Sequence, residues 1–412
     1  MPTVVLLGTL DTKGIEYDYL RELLHAQGVE TVLVDAGVLG EPRAEPDITR
    51  EEVARAAGAD VRGLAEGGDR GAAVTTMARG SAAIVGRLHS EGRLDGVIAL
   101  GGSGGTAIAT EAMRALPVGV PKLMVSTMAS GDTRPYVGAS DVTMTYSVVD
   151  IAGVNAVSAQ ILANAAAAIA GMAVAEPPAV RSERPLVGAS MFGVTTPCVE
   201  AARERLEKLG YEVLVFHATG TGGQSMEALM RSGFITASLD ITTTELADDL
   251  VGGVLSAGPD RLEAAGELGI PQVVSLGALD MVNFGPMDTV PAEFRDRVLY
   301  KHNPTVTLMR TTAEECSQLG RRIARKLNAA AGPTTLFIPL RGVSLIDSEG
   351  QVFWDPDADA ALFAALRENL NPDIDVRELD MNVNDPAFAR EMAETLHEHY
   401  QAWARNRGEV PV

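Results

Sequence analysis

Glycines flanked by hydroxyl and charged residues cluster in several places in this sequence, and backbone amides in such company suit a phosphate-bearing ligand. The run Gly101-Gly102-Ser103-Gly104-Gly105-Thr106 follows an apolar stretch, Val97 to Leu100, and precedes a helical pattern reaching Leu116. Missing side chains let a phosphate approach closely, and the unpaired N–H groups of a helix start can wrap it. Gly102, Gly104 and Ala107 fit a GxGxxA dinucleotide fingerprint, but the next strand ends in Ser126-Thr127, where a ribose-binding acid is expected. The turn Gly8-Thr9-Leu10-Asp11-Thr12-Lys13-Gly14 offers Lys13 as a phosphate cation and Asp11 as an acceptor for a metal or ribose. Thr12 or Asp11 would serve equally as a helix cap. Asp35, ending the stretch Val29 to Val34, is either a ribose acceptor or a turn residue, and Ser130 and Gly131 follow the stretch Lys122 to Thr127.

A second group lies further along. His217-Ala218-Thr219-Gly220-Thr221-Gly222-Gly223 again sets glycines and hydroxyls before a helix, with a histidine able to donate to an oxyanion or move a proton. Thr219, Gly220, Gly222 and Gly223 are candidates for phosphate contact. In Leu239 to Glu245, Thr242 and Glu245 have the spacing of a capping box, which leaves Asp240 unexplained. Asp280, Asn283, Lys301-His302-Asn303 and Arg310 add polar groups later. His217, Asp240, Glu245 and His302 are therefore the candidates for proton transfer or substrate contact. Their separations carry no metal-ligand spacing, so no metal residues are assigned. GxxxxGK[ST], HExxH and CxxC are absent. Cys198, just inside a helix start, reads as a buried small hydrophobe more readily than as an activated thiol.

These residues need elements to hold them at strand ends. Thr3 to Gly8 reads as a buried strand, Ile15 to Ala26 as a helix, and Val29 to Val34 as the next strand, a βαβ opening. Strands at Val97 and Lys122 and an Ala-rich helix from Asn155 to Val174 complete a first domain, residues 1–180. Ala175 to Pro185, with three prolines among charges, reads as the linker. The same grammar restarts at Leu186 and gives a second domain, residues 186–412. Its strands are expected at Leu186–Met191, Tyr211–Phe216, Phe234–Leu239, Gln272–Leu276, Val306–Met309, Thr335–Pro339 and Asp375–Leu379. The fold class is α/β, two Rossmann-like domains with mainly parallel sheets flanked by helices and a ligand cleft at the strand carboxyl ends.

Composition agrees with that class. The 412 residues are 46% hydrophobic but only 4% aromatic, with 42 glycines, as a helix-covered parallel sheet requires. A net charge of −21 repels nucleic acid and anionic membrane surfaces, so neither is an expected partner. The two cysteines, Cys198 and Cys316, make no disulfide framework. No basic leader or long uninterrupted apolar run is apparent, and a cytoplasmic protein is expected.

Taken together, several segments resemble one family. They are Gly8 to Gly14, Gly101 to Thr106, Ser126 to Asp132 with Pro135 to Gly138, Thr195 to Val199, Phe216 to Gly223, Leu239 to Asp248, and His302 to Pro304 with Thr307 to Thr311. The family is an uncharacterised one that includes the N-terminal ATP-binding region of the tomato mosaic virus resistance protein. The resemblance implies two Rossmann-like subdomains, ATP as the ligand and a homodimer; the charge of a triphosphate in so acidic a chain makes Mg²⁺ its expected companion. It supplies no reaction. The expected function is ATP binding, with an enzyme acting on a small metabolite between the domains as one form of it. Two alternatives are a lyase, isomerase or hydrolase of a phosphorylated or carboxylated metabolite, and a non-enzymatic regulatory module.

Overall fold

The computed structural model describes residues 1–176 and 184–408, which fall into two compact units, Met1–Ala179 and Val180–Val412. Most of the linker stretch, residues 177–183, lies outside the described residues.

In the first unit, β1 (Thr3–Gly8), α1 (Leu10–His25) and β2 (Glu30–Asp35) form the opening βαβ. Three helices follow, α2 (Arg50–Ala56), α3 (Val61–Glu66) and α4 (Arg70–Ser90). Then come β3 (Gly96–Gly101), α5 (Ser103–Arg114), β4 (Lys122–Ser126), α6 (Arg134–Val137), β5 (Thr143–Tyr146) and α7 (Ala156–Val174). The five strands are all parallel in the order β2-β1-β3-β4-β5. Both faces are covered, so the strands read as unbroken apolar runs, and alternate side chains serve different helices. Val5, Leu7, Val97 and Ala99 pack with Met77, Ile84, Ile108 and Met113 of α4 and α5. Val4, Leu6, Ile98 and Leu100 pack with Tyr17, Leu20, Leu162 and Ile169 of α1 and α7. By length and composition α7 could cross a membrane, yet Leu162, Ala165, Ala166 and Ile169 bury one of its faces in this core.

The second unit repeats the pattern with β6 (Leu186–Met191), α8 (Thr196–Lys208), β7 (Glu212–His217), α9 (Thr221–Arg231) and β8 (Ala237–Thr242). It continues through α10 (Glu245–Val251), α11 (Ala264–Leu268), β9 (Gln272–Gly277), β10 (Met281–Phe284), β11 (Leu299–Asn303) and β12 (Val306–Arg310). It ends with α12 (Ala313–Asn328), β13 (Thr334–Pro339), α13 (Pro356–Asn369), β14 (Asp375–Leu379) and α14 (Pro386–Arg407). Its parallel sheet runs β14-β13-β9-β8-β6-β7. Counted from its own first strand, the winding 2-1-3-4 is that of the first unit.

Several details differ from the sequence reading. The strand expected at Phe234–Leu239 lies three residues later, as β8 at Ala237–Thr242. Val306–Met309 belongs not to the parallel sheet but to a small antiparallel one, β10-β12-β11, whose strand β11 is exposed and polar and so carries no apolar signal. The short strand β5 is half exposed and equally silent. The stretches Thr9–Gly14 and Gly101–Gly105 are largely first helical turns rather than loops, since α1 starts at Leu10 and α5 at Ser103. Gly14 is required by packing: a side chain there would meet the backbone of Arg43 at 2.7 Å. Gly8 makes room for the Tyr17 ring, whose hydroxyl bridges β1 and β3 by donating to the carbonyl of Leu7 and accepting from the N–H of Leu100.

Candidate functional site

Strand order decides where a ligand can enter. In the first unit the chain leaves β1 toward β2 on one side and reaches β3 on the other, so β1 and β3 flank a switch point where α1 and α5 diverge. A cleft of about 550 Å³ opens there. Its polar wall is Thr9, Asp11, Thr12, Lys13 and Gly101–Gly105, and its apolar wall includes Val38, Leu39, Leu64, Val74, Met77 and Ile108. The sequence-predicted residues Thr9, Asp11, Thr12, Lys13, Gly101, Gly102, Ser103, Gly104 and Gly105 are thus brought together.

The α5 start is the most exceptional part of this wall. Among the longer described helices, α4, α7, α12, α13 and α14 are capped by Asp69, Asn155, Thr312, Asp355 and Asp385. The first amides of α8, α9 and α1 are met by Asn384, Glu245 and Asp35. The N-cap of α5 is Gly102, and no side-chain acceptor reaches its first turn. Thr106 is buried below, its hydroxyl donating to the carbonyl of Gly102 at 2.7 Å and lying 2.7 Å from Ser126 Oγ, so it braces the turn rather than facing the cleft. Three or four N–H groups with the positive end of a 12-residue helix behind them make an anion seat.

The α1 side is more fully occupied. Asp35 is buried, with Oδ1 accepting from Leu10 and Gly37 and Oδ2 paired to Arg50. It is therefore an internal cap and ion-pair partner, not a ribose acceptor; both its oxygens are committed. Asp11 accepts the N–H of Leu39 through Oδ2 at 2.9 Å, while its buried Oδ1 has no partner. Thr9 and Thr12 join hydroxyls at 2.9 Å, and the Lys13 ammonium donates to the carbonyl of Ile151. Sequence reading missed Arg70 and Asp150, which also line the cleft. Arg70 Nη2 lies 3.6 Å from where a side chain on Gly104 would begin, and Arg70 has no ion pair or hydrogen bond among the described residues. The Gly67-Gly68-Asp69 helix start was its only signal. Ser130 and Gly131 are exposed and do not line the cleft.

The second unit fills its own glycine turn. Glu245 Oε1 accepts the N–H of Gly220 at 2.7 Å and of Gly223 at 3.1 Å, while Oε2 pairs with Arg261 at 2.6 Å. The capping box expected between Thr242 and Glu245 is absent because Thr242 remains in β8, bonded to Ser190 and Thr195. Gly220 and Gly223 thus hold an internal carboxylate where a phosphate was expected, Gly222 packs against the backbone of His217, and Thr219 turns its hydroxyl to the carbonyl of His217. Arg261, 1% exposed, also holds Asp240 through two bonds of 2.5 and 2.8 Å and touches Glu227. Burial opposes its charge, but Asp240, Glu245 and Glu227 outweigh that and raise its pKa well above the usual guanidinium range. Burial pushes Glu227 up. Asp240 and Glu245 are consumed in this network, whereas His217 is exposed beside Phe192 and His302 is exposed beside Tyr300 on β11. The four catalytic candidates do not converge.

A second buried network surrounds Arg310, which pairs with Asp359 at 2.7 Å and lies 3.6 Å from Asp347. Asp280, held by Ser344 at 2.8 Å, completes it, and the Cys316 thiol is the remaining titratable neighbour. Burial raises Asp280 to about 6. Burial and then the Asp280 charge raise Asp347 to about 7; burial and then Asp347 raise Asp359 to about 7. A carboxyl with a raised folded pKa binds protons that the unfolded chain releases, so its contribution to stability is lost as pH rises from about 4 to about 7. Replacing Asp347 by Asn imitates the protonated form. Urea midpoints between pH 5 and 8 should therefore fall less steeply in Asp347→Asn than in the wild type, and parallel slopes would refute the assignment.

Comparison with known proteins agrees with the two-unit division of the fold. The N-terminal domain of the uncharacterised protein family UPF0261 matches residues 2–178 and the C-terminal domain of that family matches residues 184–400. A UPF0261 protein of Clostridium tetani is 57% identical over 394 residues, 95% of this chain and 98% of its own. The ToMV resistance protein Tm-1(GCR237) of Solanum lycopersicum is 46% identical over 82% of this chain, which corresponds to 45% of that longer protein. Among solved structures, UDP-GlcNAc 2-epimerase from Neisseria meningitidis bound to UDP-GlcNAc is 11% identical, over 66% of this chain and 82% of its own, with a TM-score of 0.22. A likeness that slight carries no argument about a ligand. The resemblance read from the glycine-rich motifs and their neighbours is a true kinship, and the chain belongs to the uncharacterised protein family UPF0261.

Proposed function

We propose that the first unit binds a nucleotide at the β1/β3 switch point, with ATP the ligand and its phosphates on the first turn of α5. The observation that carries this reading is the uncapped α5 start facing a cleft with one polar and one apolar wall. A cleft of about 550 Å³ is of the size small-molecule sites use, about 300 to 1,000 Å³. The apolar wall of Val38, Leu39, Leu64, Val74, Met77 and Ile108 suits a base, and the motif resemblance to an ATP-binding region favours ATP over NAD. Mg²⁺ fits as companion: Asp11 Oδ1 is buried without a partner, Asp150 lines the same cleft, and such a cation needs only one or two protein carboxylates beside phosphate oxygens. It would neutralise phosphate charge there.

Two buried free thiols suit a reducing cytoplasm, and α7, whose 19 residues include no charged side chain, offers a surface for a homodimer. Calorimetry is the direct test. Saturable one-site binding of ATP, tighter with MgCl₂ than without, is the expected result; absence of heat with ATP, ADP and AMP in either buffer would sink the proposal.

A further inference from the structure

The cleft contains two cations, and they stand in different circumstances. Lys13 already donates to the carbonyl of Ile151, which ties its ammonium to the loop after β5. Arg70 is exposed, has no acceptor among the described residues, and projects from the first turn of α4 across the first turn of α5. Its own helix start is satisfied by Asp69, whose Oδ1 accepts the N–H of Ala72 at 2.9 Å, so the guanidinium is not needed there. Gly104 leaves open the space between Arg70 Nη2 and the α5 backbone: a side chain at Gly104 would begin 3.6 Å from Nη2 and 3.9 Å from Val74. An oxygen seated on amides lies about 2.9 Å from them, and the other oxygens of the same tetrahedral group extend about 2.5 Å further, into the reach of that guanidinium.

We infer that Arg70 grips, from the opposite wall, the phosphoryl group seated on α5, and that this grip makes the site selective for nucleotides over the corresponding nucleoside. The inference rests on the nucleotide reading above and deepens it. A planar fork that contacts two oxygens of one phosphate discriminates charge and shape together, which an ammonium does not. In a chain of net charge −21, a local cation of this kind is also what lets a polyanion remain in the cleft.

The test titrates wild type, Arg70→Ala, Arg70→Lys and Arg62→Ala with ATP, AMP and adenosine in MgCl₂ by calorimetry. Arg62, exposed on α3 and not lining the cleft, controls for loss of a positive charge. Arg70→Ala should weaken ATP and AMP about ten-fold or more and leave adenosine within about two-fold. Arg70→Lys should fall between, and Arg62→Ala should match the wild type. The inference is overturned by ATP affinity unchanged in Arg70→Ala, by an equal loss for adenosine, or by the same loss in Arg62→Ala. Failure of wild type to bind any of the three ligands overturns the nucleotide reading itself. Unaltered far-ultraviolet circular dichroism and urea midpoint in Arg70→Ala separate lost contact from lost fold.

Discussion

Arg261→Leu is expected to destabilise the second unit by about 3 to 5 kcal/mol, enough to unfold it partly at room temperature. The side chain is 1% exposed and is the shared partner of Asp240, Glu245 and Glu227, themselves buried. Removing it leaves Asp240 and Glu245 buried without their counter-charge, while Glu227 keeps Arg231 at 3.4 Å, and a buried unpaired charge costs far more than the pair contributes. Glu245 would retain the N–H groups of Gly220 and Gly223, so the β7–α9 turn is strained less than the β8 end, where Asp240 loses two bonds. Both tryptophans, Trp354 and Trp403, lie in this unit, so fluorescence-monitored urea unfolding reports on it directly. An accompanying result follows from the same cause. Asp240→Asn with Glu245→Gln added to Arg261→Leu should recover part of the deficit. A midpoint equal to that of the wild type would show that the network contributes nothing.

The contrast between legible and illegible features follows from the range of the interactions. Gly101 to Gly105 was readable as an anion cradle because the amides, the missing side chains and the helix they open are contiguous in sequence. The fold class was readable for the same reason: each strand is a short apolar run with its helix beside it. Asp240 looked catalytic because a polar group at a strand end had no local explanation; its explanation is Arg261, about twenty residues away in a stretch without a motif. Glu245 also illustrates how local spacing misleads. Its capping-box distance from Thr242 is real, but extension of β8 through Thr242 moves the helix start to Thr244 and frees the carboxylate for the α9 amides. The network of Asp280, Asp347, Asp359 and Arg310 spans two loops, the end of β12 and a helix, and could not be read at all. Arg70 was overlooked because its neighbour in space, Gly104, is set by strand order, and the order β2-β1-β3 is a property of topology, not of any segment.

The second unit indicates how to close the first. There the glycine turn between β7 and α9 is filled by Glu245, and no exogenous anion is needed to satisfy its amides. Gly102→Asp should do the same to α5. Gly102 has φ −82° and ψ −160°, extended backbone that any residue adopts, and a side chain there meets only Thr127 Oγ1 at 3.8 Å. An aspartate at this N-cap can accept from the first-turn amides, complement the helix dipole and reduce the freedom of the unfolded chain. The sum is a stabilisation of about 1 kcal/mol. The same carboxylate occupies the phosphate seat and repels what remains of the ligand, so ATP affinity should fall at least about 100-fold, equivalent to about 2.7 kcal/mol. Opposite signs for stability and binding are the signature sought: a seat left open for a ligand is a stabilising contact forgone. Gly102→Ser, a neutral cap, should give a similar stabilisation with a smaller loss of affinity. Thermal unfolding with and without 5 mM MgATP reads both effects at once, because ligand raises the wild-type midpoint and should leave that of Gly102→Asp unmoved. If Gly102→Asp is destabilised, the α5 amides are not free donors, and the phosphates must be placed elsewhere along the cleft.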